Sequence, residues 1–408
     1  MSTRPMALLT ATTACALAAC GTDTGPTAAT PDVVTETIGD TTVVRTLSGS
    51  VWDAEATLVP EVTIGELDGP EEYLFGWIFS IAVDDDRNVY VFDYQAQQVG
   101  VFDAEGNHLE TLGGRGEGPG EFMRAEAIAM LPGGRLVVRN PGNQRVEVFG
   151  PERGQTEQWR YPAGGLHTFT ALYTDMHGRT LVPIVDQSQG LSSPGILVTQ
   201  LLVLGPDGTP VDTLAQPTHP SPTEVRPFTP RFQWTYHPSG HFLTGMPSEY
   251  RIDLARDDGV LRIERAVDPV PVLDEERAHA REQMVRSRRE RDPDWSWSGP
   301  PVPRHKPFFR SLRTGRDGRV WVRVSTEGYA VENEDHDPGN PSSMPVIWRE
   351  PVRYDVFEPD GTYLGVVVPP DGATLSTAVF DGDYVWAVTQ DELEVERVVR
   401  FRIVVGGG

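Results

Sequence analysis

The sequence is poor in lysine and cysteine, two residue types whose chemistry is easy to recognise. Among its 35 basic residues Lys306 is the only lysine, so Schiff-base chemistry or a P-loop lysine has one position available. The only cysteines are Cys15 and Cys20, near the start of the chain. Acidic residues number 59 and give a net charge of −24, the opposite of a nucleic-acid-binding protein. These features exclude much lysine and cysteine catalysis and argue against a nucleic-acid partner.

A long hydrophobic run is also missing. The mildly apolar stretch 5–19 follows the single basic residue Arg4, and it is shorter than the ~20 residues of a membrane-spanning helix. It leads into the tetrapeptide 17–20, Leu-Ala-Ala-Cys, which resembles the lipobox of bacterial lipoprotein signals at all four positions. The resemblance implies cleavage before Cys20 and lipidation of its thiol, which makes the membrane a partner through the lipid. An ordinary secretory signal or a transmembrane stub is the alternative.

The residue after the cysteine indicates which membrane. Gly21 stands where, by the same resemblance, an aspartate would favour retention in the inner membrane. We therefore expect a cell-envelope protein with its lipid anchor in the outer membrane. Residues up to about 50 are rich in threonine, glycine and proline, which is typical of a flexible tether. The sequence thus predicts a signal peptide at 1–19, a tether at 20–50 and a folded body at 51–408.

In the body, short runs of alternating apolar and polar residues recur and are separated by Asp/Asn/Gly turns. This pattern is typical of antiparallel sheets. Six pairs of turns occur: 84–88 with 103–107, 132–135 with 151–154, 175–178 with 206–208, 237–240 with 257–259, 316–319 with 358–361, and 381–383 with 391–392. We therefore predict an all-β fold, a six-bladed β-propeller of four-stranded antiparallel blades with one inserted helix. The last unit lacks an outer strand, which the run 57–64 is expected to supply. Two packed β-sandwiches are the alternative.

A glycine-rich stretch joins the first two units. Residues 112–122 read LGGRGEGPGEF, and this stretch resembles the connection in six-bladed propellers of the NHL type and in related bacterial lipoproteins. Its glycines permit positive φ angles, and Phe122 can fill the space between two sheets. A phosphate-binding loop is a poor fit, because no Lys-Ser/Thr pair follows it.

Candidate site residues come from the innermost strands, which line the channel of a propeller. Alignment on the turns places there the windows 77–80, 124–127, 167–171, 230–233, 308–311 and 374–377. Their polar members are Arg124, Glu126, His167, Gln233 and Arg310. Two guanidinium groups offer a fork to a carboxylate or phosphate, and Glu126 with His167 can move protons. The alternative is that Glu126 only neutralises an arginine.

The sequence contains only weak evidence for a metal site or a catalytic serine. The turn 84–88 has the first three oxygen positions of a calcium loop but lacks the glycine and the terminal glutamate, so we interpret it as a solvated turn. The acidic run 332–337 lies in a loop. No metal ligands are assigned and no cofactor is expected, with calcium as the alternative.

No Gly-x-Ser-x-Gly elbow occurs, and His237 and His241 are expected at the surface.

Two insertions interrupt the repeated strand and turn pattern, at about 271–306 and 325–350. In the first, Asp274 is expected to cap a helix that runs to about Arg291, with acidic residues at its start and basic residues at its end. The candidate partner-binding residues are Trp295, Trp297, Arg288 and Arg289. The alternative is that this insertion only packs against the propeller.

Together these features predict a monomeric, lipid-anchored binding module of the envelope rather than an enzyme, with no catalytic residue assigned. Its partner is expected to be an envelope protein or a small polar ligand in the channel. A propeller hydrolase or lactonase with a metal-dependent channel site is the main alternative, and an assembly scaffold is a third.

Overall fold

The fold is all-β, as the turn pattern predicted. The computed structural model describes residues 30–154, 156–161, 171–185, 199–220 and 226–406. Within these ranges most elements are strands, and the single α-helix is α1 (Asp274–Arg289). In this part of the chain no helix is both long and apolar enough to cross a membrane. The first three strands are β1 (Asp32–Ile38), β2 (Thr41–Ser48) and β3 (Ala56–Ile64).

The later strands form consecutive antiparallel units. Unit 1 contains β4 (Ile78–Val83), β5 (Val89–Asp93), β6 (Gln98–Phe102) and β7 (His108–Gly113). Unit 2 contains β8 (Ala127–Leu131), β9 (Arg135–Asn140), β10 (Arg145–Phe149) and β11 (Thr156–Arg160). Unit 3 contains β12 (Tyr173–Thr174), β13 (Thr180–Val185), β14 (Thr199–Leu204) and β15 (Pro210–Ala215).

The second half of the chain continues this pattern. Unit 4 contains β16 (Gln233–His237), β17 (His241–Gly245), β18 (Arg251–Arg256) and β19 (Gly259–Arg265). Unit 5 begins with β20 (Phe309–Thr314) and β21 (Val320–Val324), continues through a hairpin of β22 (Tyr329–Glu332) and β23 (Val346–Arg349), and ends with β24 (Tyr354–Phe357) and β25 (Tyr363–Val368). Unit 6 contains β26 (Ala373–Asp381), β27 (Tyr384–Gln390) and β28 (Glu396–Val405).

The fourth strand of unit 6 is β3, from the start of the described chain. It pairs antiparallel with β28, with Ile64 opposite Val398 and Ala56 opposite Val405. This is the strand that the run 57–64 was expected to supply. β3 also pairs in parallel with the end of β25, so units 5 and 6 share one eight-stranded sheet.

The N-terminal tether is shorter than predicted, because residues 32–48 form the hairpin of β1 and β2. β2 pairs in parallel with β19 and extends unit 4 to a six-stranded sheet. Threonine, valine and isoleucine dominate both strands, and β-branched residues favour a pleated surface. The threonine content that was interpreted as a tether is in fact strand propensity. Arg45 of β2 also pairs with Glu264 of β19 at 2.7 Å.

The apolar core is divided among clusters that lie between neighbouring units. One cluster joins unit 1 to unit 2, and the series continues through units 3, 4, 5 and 6. A further cluster joins unit 6 back to unit 1, where Trp386 and Val398 pack with Ile81 and Val91. The units therefore contact one another in cyclic order.

Hydroxyl groups connect the first strands of neighbouring units. Thr174 Oγ1 donates to Met130 O at 2.9 Å, and Thr314 Oγ1 donates to Tyr236 O at 3.2 Å. Ser80 Oγ lies 3.3 Å from both the backbone N and O of Ile128. Short β-hydroxyl side chains reach a neighbouring backbone without disturbing their own strand. These bonds fix the spacing of the first strands.

The glycine-rich connection at 112–122 behaves as the sequence indicated. Phe122 is fully buried and packs edge-on between Phe92 of unit 1 and Phe149 of unit 2. Gly113 has φ +87°, and a Cβ there would lie 2.2 Å from the Phe122 ring. Glycine is thus required at this position for both conformation and space.

The predicted helix and two histidines need small corrections. α1 ends at Arg289, and its N-cap is Leu273, so Asp274 lies in the first turn and makes no capping bond. His237 is buried, not at the surface, because its Nε2 donates to Gly318 O at 3.0 Å across the boundary between units 4 and 5. His241 is half-buried and lies 3.1 Å from Asp257.

Candidate functional site

A cavity of about 620 Å³ opens among the first strands. Its walls come from β4, β8, β20 and β26, from residues 171–172 beside β12, and from parts of β27 and β28. We call it the central cavity. Among the described residues most of its walls are strands, and the hydroxyl bonds described above hold several of these strands together.

Arg313, at the end of β20, supplies the positive charge of the central cavity. Its side chain is half-buried, and within the described ranges no carboxylate lies at ion-pair distance from its guanidinium. Burial raises the pKa of Tyr173, and the charge of Arg313 opposes that rise. Its field therefore reaches the first strand of unit 3. A guanidinium without a carboxylate partner offers its donor fork to an anion.

Trp77 provides an apolar surface in the same cavity. Trp77 is 40% exposed as a residue, and its ring centroid lies 5.4 Å from that of Phe79 and 5.0 Å from that of Tyr94, both in edge contacts. These contacts hold the ring in place while much of its surface stays accessible. Small hydroxyl side chains complete the lining, and Thr377 Oγ1 is buried without a hydrogen-bond partner in the described part of the chain.

A second cavity, of about 370 Å³, lies at the other end of the first strands. Its arginine is Arg316, and here the charge is already neutralised. Arg316 pairs with Asp85 at 2.5 Å and with Asp381 at 2.9 Å, and it donates to Asp84 O. Of these two cavities, only the central one presents an arginine that lacks an acidic partner in the described residues.

Glu126 does not face the central cavity as a free acid. It is fully buried and forms an ion pair with Arg139, which also donates to Pro183 O at 3.1 Å. The alternative given by the sequence, an acid that neutralises a buried arginine, describes this pair. Its position between β8 and unit 3 makes it a structural contact.

The other predicted channel residues are not brought together. Arg124 is exposed with a left-handed φ of +53°, and Gln233 Nε2 donates to Arg231 O at 2.9 Å. Arg310 pairs with Glu350 and lines a separate cavity beside α1. His167 lies outside the described residues. The described members of the predicted set therefore occupy different places.

The predicted partner-binding residues lie at the end of α1 and in the segment after it, and Arg289, Trp295 and Trp297 contact one another. Arg289 donates to Trp295 O at 2.9 Å, and Trp297 Nε1 donates to Pro300 O at 3.2 Å. The two indoles meet edge to face at 6.4 Å. Arg288 is exposed. Both tryptophans are half-buried, so part of each ring is used by the insertion itself.

The calcium-like turn is closed by its own hydrogen bonds. Asp84 Oδ1 accepts from the backbone N of Asp86 and Asn88, and Oδ2 accepts from Asn88 Nδ2 and the Tyr90 hydroxyl. This agrees with its interpretation as a turn. Across the described ranges no three His, Cys, Asp or Glu side chains are grouped closely enough to hold a metal ion.

The sequence windows located part of the central cavity but not its charge. The windows 77–80 and 374–377 do line it. The window 308–311 stopped too early, because β20 runs on to Thr314 and a bulge between Phe309 and Ser311 changes its register. A window that ended at the turn 316–319 would have covered the end of β20 and included Arg313.

Comparison with known proteins agrees with the β architecture. A family model described as a 6-bladed beta-propeller, DUF5128, matches residues 57–130. No curated protein matches the chain. A DUF4221 family member from Bacteroides vulgatus is 10% identical, with 86% of this chain and 99% of that chain covered and a TM-score of 0.48.

Two solved enzymes also align with most of the chain. A gluconolactonase from Xanthomonas campestris is 15% identical, with 86% of this chain and 91% of that chain covered and a TM-score of 0.39. Virginiamycin B lyase from Staphylococcus aureus is 11% identical, with 86% and 100% covered and a TM-score of 0.37. Likeness at this level carries no argument about activity.

Proposed function

We propose that the antiparallel units are the blades of a six-bladed β-propeller and that the central cavity lies on its axis. The cyclic order of the interunit clusters supports this arrangement, as does the contribution of four first strands to one cavity. β3 would close the ring by completing the last blade, which leaves no long unpaired edge there. The description of the matching family model agrees with this proposal.

We propose further that the protein is a binding module whose ligand is a small organic anion held in the central cavity. The observation that carries this is Arg313, a half-buried arginine with no acidic partner in the described ranges. Trp77 offers a fixed ring surface, and the hydroxyl side chains offer further hydrogen bonds. Pockets of this kind combine an apolar wall with a few polar groups that orient the ligand. The ligand class is therefore a carboxylate or phosphate attached to a ring or other apolar body.

The test compares ring-bearing anions with a neutral analogue. Benzoate, cyclohexanecarboxylate and inorganic phosphate would be titrated into the folded chain by calorimetry, with benzyl alcohol as the uncharged control. We expect the ring-bearing anions to bind better than benzyl alcohol and Arg313→Gln to weaken them roughly 10- to 100-fold, as for a lost charged hydrogen bond. Arg316→Gln is the matched variant and should bind normally. Equal binding of benzyl alcohol, or no effect of Arg313→Gln, would refute the proposal.

We propose that the module is a lipoprotein of the envelope, anchored through Cys20. The support is the tetrapeptide 17–20 together with the short apolar stretch before it. One acyl chain binds a membrane only marginally, so the stable anchor requires the second and third chains that this type of signal implies. Labelled palmitate should be incorporated by the natural sequence and not by Cys20→Ser, which should appear in the soluble fraction. Equal labelling of both would contradict the anchor.

A further inference from the structure

A separate cavity of about 500 Å³ lies between α1 and the β22–β23 hairpin, and we call it the α1 pocket. Its walls include Glu276, His279 and Ser287 of α1 and Trp348 of β23, with Phe228 at one side. It shares no lining residue with the central cavity. The two insertions that the sequence left unexplained thus combine to form one concave site.

The floor of the α1 pocket is an ion cluster built around the only lysine of the chain. Lys306 is fully buried, and its Nζ lies 2.7 Å from Glu276 Oε1 and 2.8 Å from Glu350 Oε1. Arg310 also pairs with Glu350. Two cations therefore meet two carboxylates, and the charges balance. Burial raises the pKa of Glu350, but the hydrogen bonds from Lys306 and Arg310 outweigh it, so the net shift is downward and Glu350 stays ionised.

One atom of this cluster has no partner. Glu276 is 2% exposed, and its second oxygen, Oε2, is buried without a hydrogen-bond donor in the described chain. A buried carboxylate oxygen without a donor is costly, and buried polar groups are otherwise nearly always paired. Because Glu276 lines the α1 pocket, a ligand in that pocket can supply the missing donor.

The charges around Oε2 select the kind of donor. An ammonium group placed there would lie beside Lys306, which already occupies the other oxygen of the same carboxylate, and the two like charges would repel. A hydroxyl group donates without adding charge to a cluster that is already balanced. His279 Nε2 donates to Val346 O at 2.7 Å, so Nδ1 is the ring nitrogen left for a second hydroxyl.

Aromatic rings supply the rest of the surface. Trp348 and Phe228 are both half-buried in the walls of the pocket. Lys306 Nζ and the Arg310 guanidinium lie 5.6 and 5.8 Å from the Phe228 ring centre, so cation–π contacts hold that ring against the ion cluster. We propose that the α1 pocket binds a neutral polyhydroxyl ligand, a sugar ring whose hydroxyls satisfy Glu276 and whose C–H face covers an aromatic ring.

The experiment uses the folded chain and a defined set of probes. Glucose, galactose, mannose and N-acetylglucosamine would be tested by saturation-transfer NMR and thermal shift, beside methylammonium and ethanolamine. We expect at least one sugar to bind and to raise Tm, since a ligand that binds only the native state stabilises it. Binding should be at least tenfold weaker in Glu276→Gln.

A second variant protects this test against a folding defect. Ser287→Trp fills the α1 pocket from an exposed position without touching the ion cluster, and it should abolish sugar binding. Arg288→Gln, next to it on α1 and outside the pocket, should bind within twofold of the natural chain, and so should Arg313→Gln. The proposal is overturned if no sugar binds, if Ser287→Trp binds as well as the natural chain, or if the amines bind in place of the sugars.

Discussion

Arg313 and Arg316 lie close together at the end of β20 but line different cavities, and within the described chain only Arg316 has carboxylate partners. Variants of the two arginines therefore test the proposed ligand binding separately from stability. Both are half-buried, so a difference between them reflects their partners and not their exposure.

We expect Arg316→Gln to lower the free energy of unfolding by about 1 kcal/mol, because it removes two partly exposed ion pairs. Arg313→Gln should change it by less than about 0.5 kcal/mol, since it breaks no pair. Urea denaturation of the two variants measures this. A larger loss in Arg313→Gln than in Arg316→Gln would mean that Arg313 has a structural role.

The buried pair of Glu126 and Arg139 gives a second prediction. Either Glu126→Gln or Arg139→Met should cost about 3–5 kcal/mol, because each leaves one charge buried without its partner. The double variant should cost clearly less than the sum of the two. A double-mutant cycle by chemical denaturation measures the coupling, and strict additivity would show that the two side chains do not depend on each other.

The close approach of Gly113 to Phe122 gives a third prediction. Gly113→Ala should be strongly destabilising, because the added Cβ meets a ring that is fixed between two sheets and the backbone has positive φ. Phe122→Ala should cost about 3–5 kcal/mol through the cavity it leaves. In the Phe122→Ala background, Gly113→Ala should cost less than in the natural chain, since only the φ strain remains. Thermal unfolding of the four proteins gives the comparison.

His237 gives a pH dependence. Burial lowers the pKa of His237, and the hydrogen bond to Gly318 O opposes only part of this shift. The unfolded chain therefore binds the proton more readily, and stability should fall as the pH drops below about 6.5. His237→Gln should flatten the profile between pH 7.5 and 5.5, whereas His177→Gln, at an exposed position, should leave it unchanged. A steep profile that survives in His237→Gln would assign the dependence to another group.

The sequence predicted the parts of the fold that depend on local chemistry. The Asp/Asn/Gly turns marked the strands, the spacing of acidic and basic residues marked α1, and the glycines at 112–122 marked a close approach of backbone. Residues 32–48 were assigned incorrectly because the partner of β2 is β19, more than two hundred residues later in the chain. No local pattern reports such a pairing.

The candidate site was harder to predict for the same reason. Glu126 and Arg139 are separated by a turn, and the sequence does not show that the pair is buried against unit 3. Arg313 was missed because the window 308–311 ended before the end of β20, which runs on to Thr314. The α1 pocket is formed by two insertions in different parts of the chain, so neither insertion reveals it alone.

The pairing of β3 with β28 has a consequence for the order in which the protein is made. β3 leaves the ribosome long before its antiparallel partner β28, which follows it by more than three hundred residues. The sheet that contains β3, β27 and β28 therefore cannot be completed before β28 has been synthesised. Once β28 is made, its pairing with β3 protects both strands together.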